Sequence, residues 1–137
     1  MDPKKWNIPL TYEPKIPAVI AGTCMQTIRT GRKFNEGDLI RFYTWQGRPY
    51  RSRRTTITEY KEIWAAEGIV IIPSGFLFYN NGKFMFERYW DSWEMNDIAK
   101  RDCIAPPTGE ALRDVLIAKN GKIPAEGIDA QIVRWSD

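Results

Sequence analysis

One stretch of the chain predicts two paired strands and limits the folds available to the rest. Phe76-Leu77-Phe78-Tyr79 and Lys83-Phe84-Met85-Phe86 flank Asn80-Asn81-Gly82. Asn and Gly tolerate positive φ angles, so this stretch predicts a tight β-hairpin. The two strands are apolar on both faces, which indicates either burial or a partner. Self-association through this hairpin, residues 76–86, is therefore one expectation for the molecule.

The rest of the chain is rich in further strand signals and has few helical ones. Alternating apolar and mixed residues predict strands over residues 39–44 and 55–64. Shorter runs predict further strands over residues 24–29, 68–72 and 128–135, and over residues 8–12, where Pro9 restricts the strand to an edge or a strand start. Helices are predicted over residues 14–21, 91–102 and 108–118, with Asp91 and Glu94 as a capping box and Thr108 as a second cap. This order favours an α+β fold, a small mixed β-barrel with two or three short helices, over a parallel βαβ fold.

Length and composition predict one domain over residues 1–137. The chain has 137 residues, of which 43% are hydrophobic and 13% aromatic, enough to build one packed core. The N-terminal segment MDPKKWNIPL contains no apolar run of the length of a signal peptide or a membrane span. We therefore expect a soluble cytoplasmic protein that has no membrane partner.

The chain contains no histidine, and this excludes several kinds of chemistry. Ser-His-Asp and Cys-His nucleophile activation and every histidine-ligated metal site are ruled out. Cys24 and Cys103 are too few for a disulfide framework or a zinc site. We expect no metal and no cofactor, and acid–base chemistry would depend on carboxylates, Lys, Tyr or Cys.

Charge is distributed unevenly along the chain. Residues 1–54 hold eleven Lys and Arg against four Asp and Glu, a balance of +7, whereas residues 55–137 have a balance of −4. A basic segment of this kind can bind phosphates, although a solvated surface with locally uneven charge explains it equally well.

Three short motifs resemble those of the ASCH domain family of the PUA-like superfamily. They are Gln26-Thr27-Ile28-Arg29, Gly37-Asp38 and Ile98-Ala99-Lys100-Arg101-Asp102. The resemblance extends from the predicted helix at 14–21 to the last strand, with Cys103-Ile104 in place of the Gly-Phe that usually follows the third motif. It implies a PUA-like β-barrel, a fold in which RNA binding is frequent.

The resemblance also implies a candidate catalytic site. Some small ASCH proteins are amidohydrolases that remove acyl groups from the N4 amine of cytidine derivatives, using a Lys-x-x-Thr pair and a later carboxylate. Thr27 matches the proposed nucleophile, Asp102 matches the acid, and Cys24 occupies the lysine position. A thiol cannot replace the lysine unless it is ionised, so Lys33 or Arg29 would have to compensate.

Simpler roles exist for the same residues. Thr27 is a β-branched residue that can merely pack, Asp38 can be a turn former, and Arg29 can form a structural ion pair with Asp102. Cys24 and Cys103 can be small buried residues. If both cysteines lie at one cleft, a redox-linked pair or a soft-metal site is the alternative.

Arginines and aromatic residues that follow the 39–44 strand predict a nucleic-acid-binding surface. Arginine binds phosphate and aromatic rings stack on unpaired bases. The predicted contact residues are Arg29, Arg32, Lys33, Trp45, Arg48, Tyr50, Arg51, Arg53 and Arg54. The leading hypothesis is RNA or nucleotide binding in a basic cleft. The alternatives are amide hydrolysis on a modified nucleoside, and a non-catalytic protein-interaction module formed by the hairpin and the aromatic run at 89–93.

Overall fold

The computed structural model describes residues 2–48 and 51–136, which form a mixed α+β fold. The strands are β1 (Lys5–Pro9), β2 (Gln26–Thr30), β3 (Leu39–Trp45), β4 (Arg54–Thr56), β5 (Lys61–Ile72), β6 (Gly75–Asn80), β7 (Lys83–Tyr89) and β8 (Ile128–Ser136). The helices are α1 (Lys15–Ile20), α2 (Trp93–Arg101) and α3 (Gly109–Asn120). The α+β class predicted from the sequence is confirmed.

The long strand β5 joins the parts of the sheet. It pairs along most of its length with antiparallel β8, which in turn pairs with β2. At its start β5 pairs with β3, and at its end with β6, which is followed by β7. β1 runs parallel to β3, and β4 runs antiparallel to it. The sheet formed by the described residues is open, so a closed barrel is not shown.

The hairpin predicted from the sequence is present as β6 and β7. Asn81 and Gly82 form its turn with φ angles of 51° and 78°, which only a few residue types adopt easily. A register shift beside Phe78 leaves Met85 as an extra residue on β7. Phe84 and Met85 are 55% and 54% exposed. Burial of this strand within the chain is therefore excluded, and self-association through it remains a prediction.

The strand predicted over residues 55–64 is wrong as a single element. β4 ends at Thr56 and β5 begins at Lys61. Between them, Ile57 N–H donates to the Phe42 carbonyl, and the Thr58 hydroxyl accepts from Phe42 N–H. The Thr58 hydroxyl thus takes the place of a backbone carbonyl in the hydrogen bonding between β3 and β4. The regular pairing ends there, and the chain turns from β4 into β5. The strand predicted separately over residues 68–72 is the second half of β5.

The helix starts were predicted in part. Thr108 caps α3, because its hydroxyl accepts from Ala111 N–H at 3.1 Å. The cap of α2 is Ser92, whose hydroxyl accepts from Met95 N–H, and not the predicted Asp91. Serine has the same capping chemistry as aspartate, so the sequence located the helix start to within one residue.

The described residues form a core of two hydrophobic clusters. One packs under α2 and α3 and includes Phe76, Met95 and Leu112; the other packs between α1, β1 and β3 and includes Phe42. A cavity lies where the clusters meet, because Leu10 of one and Leu112 of the other both line it.

In the described part of the chain, no helix has both the length and the apolar character that crossing a membrane requires.

Candidate functional site

The cavity between the two clusters has a volume of about 420 Å³. It is lined by the segment after β1, by α1, β2 and α3, and by the segment that follows α2, and these contribute both apolar and polar groups. The polar and charged lining side chains are those of Thr11, Tyr12, Lys15, Thr27, Arg29, Asp102, Asp114 and Lys119. This volume lies within the range of small-molecule sites in proteins, about 300–1,000 Å³.

A buried ion pair forms part of the cavity wall. Lys15 Nζ lies 3.1 Å from Asp102 Oδ1, and the two residues are only 4% and 6% exposed. Lys15 reaches the interior because it shares the inward stripe of α1 with Val19, four residues later. Gln26 Nε2 donates to Ile98 O at 3.1 Å and to Asp102 Oδ1 at 3.4 Å. The carboxylate is therefore held from two sides.

Burial changes the acidity of this carboxyl group. It raises the pKa of Asp102 above its ordinary range, and the opposing effects of Lys15, Gln26 and Arg29 do not cancel that increase. Asp102 therefore takes up a proton more readily than an aspartate in water. A carboxyl group of this kind is suited to proton transfer.

Thr27 and Arg29 present a hydroxyl and a guanidinium to the same cavity. They are two residues apart on β2, so their side chains share one face of the strand. Arg29 Nε donates to Thr27 Oγ1 at 3.2 Å, and Arg29 Nη2 donates to Pro9 O at 2.7 Å. The guanidinium is thus fixed beside the Thr27 hydroxyl, where it would stabilise negative charge on that oxygen.

Lys119 adds an amine at the wall formed by α3, on a residue that is exposed at its outer side. Partial burial is the main cause that lowers the pKa of Lys119 to about 7, and the positive charges of Arg29 and Lys15 act in the same direction against Asp102, so the amine is only partly protonated at neutral pH. Asp114 also lines the cavity, and it is paired with Arg113 at 3.2 Å. The positive charges of Lys15 and Arg29, and that of Lys119 where it is protonated, favour a ligand that brings an electron-rich or anionic group.

The two cysteines lie close together behind this site. Cys24 is fully buried and its sulfur lies 3.7 Å from both Gln26 O and Arg101 O, while Cys103 is half-buried. Burial is the main cause that raises the pKa of Cys24 to about 12, and a hydrogen bond with Cys103 adds to the increase while Lys15 opposes it. The Cys24 thiol therefore stays protonated at neutral pH. Among the described residues, no cluster of three or more Cys, Asp or Glu could hold a metal ion.

The ammonium group of the site comes from Lys15, which the sequence interpretation missed. The resemblance assigned the lysine position to Cys24, which does not line the cavity. Lys33 lies in a separate groove with Arg32. One signal could have identified Lys15: it falls on the apolar stripe of a short helix, four residues before Val19, where a solvated lysine is unexpected.

The predicted nucleic-acid-binding residues fall in three separate places. Arg29 lies in the cavity, and Arg32 and Lys33 line the groove beside β8. The remaining described residues lie at the β3–β4 edge: Trp45, Arg48, Arg51, Arg53 and Arg54. The Arg54 guanidinium lies over Tyr43 and Trp45, 4.4 Å and 5.3 Å from the ring centroids. Tyr50 lies outside the described residues.

Known proteins do not assign a role to this site. No family model, no curated protein and no solved structure matches the chain.

Proposed function

We propose that this protein is a small amidohydrolase that acts on an N-acylated nucleoside, on an ASCH-like fold of the PUA-like superfamily. One observation carries the proposal: the buried Lys15–Asp102 pair, 3.1 Å apart, lines the same cavity as the Thr27 hydroxyl. A nucleophile, a proton acceptor and cations thus meet in a space of small-molecule size. The nucleoside as substrate class comes from the sequence resemblance around Thr27.

Substrate binding depends on the contrast between the two sides of the cavity. Leu10, Ile104 and Leu112 offer apolar surface to a base or an acyl chain. Lys15 and Arg29 offer donors to the carbonyl oxygen of an amide. Such a site, mostly apolar with a few convergent polar groups, fixes the orientation of a ligand.

The chemical steps follow from the groups present. Thr27 Oγ1 attacks the amide carbon and passes its proton to the Asp102 carboxylate, while Arg29 and Lys15 stabilise the negative charge on the former carbonyl oxygen. The C–N bond then breaks, and Asp102 returns the proton to the leaving amine. Water cleaves the resulting ester, which releases the acid and restores the Thr27 hydroxyl.

The test is hydrolysis of N4-acetylcytidine, followed as the appearance of cytidine by liquid chromatography. Thr27→Ala removes the nucleophile, and we expect kcat to fall by roughly a thousandfold or more. Thr27→Ser keeps the hydroxyl and should retain measurable activity. The matched control is Thr30→Ala on the same strand, because Thr30 bonds to Asn120 and does not line the cavity. Full activity in Thr27→Ala would exclude this mechanism.

The pH dependence of kcat/KM is a second test of the mechanism. Asp102 must be ionised to accept a proton, so kcat/KM should fall as the pH drops through its pKa. Because burial raises that pKa, the acid limb should lie above the value of about 4 of an aspartate in water. Asp102→Asn should abolish this limb together with most of the activity.

A second candidate function is RNA or nucleotide binding at the β3–β4 edge. Arg48, Arg51 and Arg53 are all exposed there. The Ser52 hydroxyl accepts from Gly47 N–H and donates to Arg48 O at 2.8 Å, which ties this basic segment together. Exposed guanidinium groups on such a segment favour contact with a phosphate backbone.

A further inference from the structure

A second, smaller concave surface lies beside Gln26, apart from the cavity. Successive residues of a strand point in opposite directions, so Gln26 lines this groove while Thr27 lines the cavity. The groove has a volume of about 260 Å³. Its walls are Thr23, Met25, Gln26, Trp64, Arg101, Arg134 and Trp135. Gln26 also hydrogen-bonds Asp102 of the cavity, and the hydrolytic mechanism gives the other lining residues no role.

Trp64 forms a fixed aromatic wall of the groove. Its indole N–H donates to Trp135 O at 3.2 Å, although the residue is 57% exposed. The ring is therefore held in one orientation while much of its surface faces water. Met25, 41% exposed, supplies a second apolar wall. An oriented, exposed indole is the type of surface on which a nucleobase stacks.

Two arginines bring positive charge to the same groove. Arg101 Nε lies 3.1 Å from Asp97 Oδ2. Arg134 Nε donates to Gln26 Oε1 at 3.1 Å, and its Nη1 lies 3.5 Å from Glu67. A guanidinium carries five N–H donors, so Arg101 with one acceptor and Arg134 with two still have donors for a phosphate.

We propose that this groove binds a single nucleotide, with its base stacked on Trp64 and its phosphate between Arg101 and Arg134. At about 260 Å³ the groove is smaller than most small-molecule sites, so in this proposal it holds the base while the sugar and phosphate lie at its rim. The aromatic wall and the two guanidinium groups correspond to the two chemical parts of a nucleotide. This site is separate from the cavity, so its occupation does not depend on hydrolysis of an acylated nucleoside.

Adenosine 5′-monophosphate is the probe, followed by NMR of the tryptophan indole N–H groups. The Trp64 signal is assigned by its loss in Trp64→Phe. The described cavity lining contains no tryptophan, so a nucleotide bound there is not expected to move this signal directly. We expect the probe to shift the Trp64 signal in a saturable way, and to do so in Thr27→Ala as well.

Variants separate stacking from charge. Affinities of the variants are measured by isothermal titration calorimetry, because a substitution of Trp64 removes its NMR signal. Trp64→Ala and Arg101→Ala should each weaken binding roughly tenfold, while Trp64→Phe, which keeps a ring, should retain most of the affinity. The matched controls are Trp93→Ala, another exposed tryptophan at 74%, and Arg113→Ala on α3. Both should bind as the unchanged protein does.

Three results would overturn the assignment. One is a Trp64 signal that does not move at millimolar nucleotide. Another is equal weakening by Trp93→Ala and Trp64→Ala, which would show non-specific stacking. The third is an equal affinity for inorganic phosphate, which would reduce the groove to a simple anion site. Adenosine alone should bind more weakly than the nucleotide, because it lacks the group that meets the arginines.

Discussion

Asp102 is the residue at which stability and chemistry are most directly opposed. It is buried against Lys15 and also accepts from Gln26. Removing two charges from water costs several kcal/mol per ion, and the mutual attraction of the pair offsets that cost only while both partners are present. A fold that keeps this pair at a cavity wall keeps a reactive group at the expense of stability.

Variants of the Lys15–Asp102 pair test whether burying these two charges lowers the stability of the fold. Asp102→Asn leaves the Lys15 ammonium buried without its carboxylate, and we expect the free energy of unfolding to fall by about 3–5 kcal/mol in urea titrations. The double variant Lys15→Met/Asp102→Leu removes both charges and should recover most of the loss. As a control, Asp97→Asn breaks the exposed pair with Arg101 and should cost less than about 1 kcal/mol. An equal loss in the single and double variants would contradict the argument.

At this scale, the sequence identified some members of the site and not others. Thr27, Arg29 and Asp102 were predicted, and all three line one cavity. Lys15 was missed because its role depends on which face of α1 turns inward, and a six-residue helix that contains one proline and follows another gives a weak periodic signal. Cys24 was assigned by its spacing from Thr27, and spacing along a chain does not show which side chain enters the cavity.

Among the elements, strand β1 is held in place by the side chain of Asp38, which lies outside it. Asp38 precedes β3, and its carboxylate accepts from Trp6 Nε1 at 3.0 Å, Asn35 N–H at 3.1 Å and Lys4 N–H at 3.2 Å. Burial opposes ionisation of this group, but the hydrogen bonds from Trp6, Asn35 and Lys4 lower the pKa of Asp38. It therefore fastens β1 to β3 and is more than a turn former.

Asp38→Ala should lower the free energy of unfolding by about 1–3 kcal/mol at pH 7. The folded-state pKa lies below the unfolded value of about 4, so this stabilisation is complete above that value and is lost as the pH falls through the folded-state pKa. Urea titrations at pH 7 and at pH 2.5–3 should show the difference from the unchanged protein shrinking. Asp91→Ala, at an exposed aspartate, should stay within about 0.5 kcal/mol at either pH. A pH-independent loss in Asp38→Ala would exclude the carboxylate as its cause.

Elements were predictable where their signals are local. The β6–β7 turn and the Thr108 cap follow from the residues that form them. The break between β4 and β5 was missed, because it depends on the Thr58 hydroxyl meeting Phe42 from another part of the chain. Closure of the sheet is equally non-local, since it depends on pairing between strands far apart in sequence.

For the whole molecule, the fold mixes the basic and acidic parts of the chain. β2, from the basic part, pairs with β8, and β3 pairs with β5. The balances of +7 and −4 therefore do not form two opposite faces. A basic segment persists where the chain turns at the β3–β4 edge, with Arg48 and Arg51 exposed. If RNA binds this protein electrostatically, this edge should carry a measurable part of the salt dependence.

Fluorescence titration with a short single-stranded RNA at several salt concentrations tests that expectation. Each phosphate contact contributes about 0.7 to the slope of log affinity against log salt, so Arg48→Ala/Arg51→Ala should reduce the slope by about 1.4 and weaken binding at every salt concentration. The matched control, Lys100→Ala/Lys122→Ala, removes two exposed positive charges elsewhere. If both double variants reduce the slope equally, binding follows net charge alone. If neither does, or if no RNA binds at low salt, the arginine edge is ordinary solvated surface.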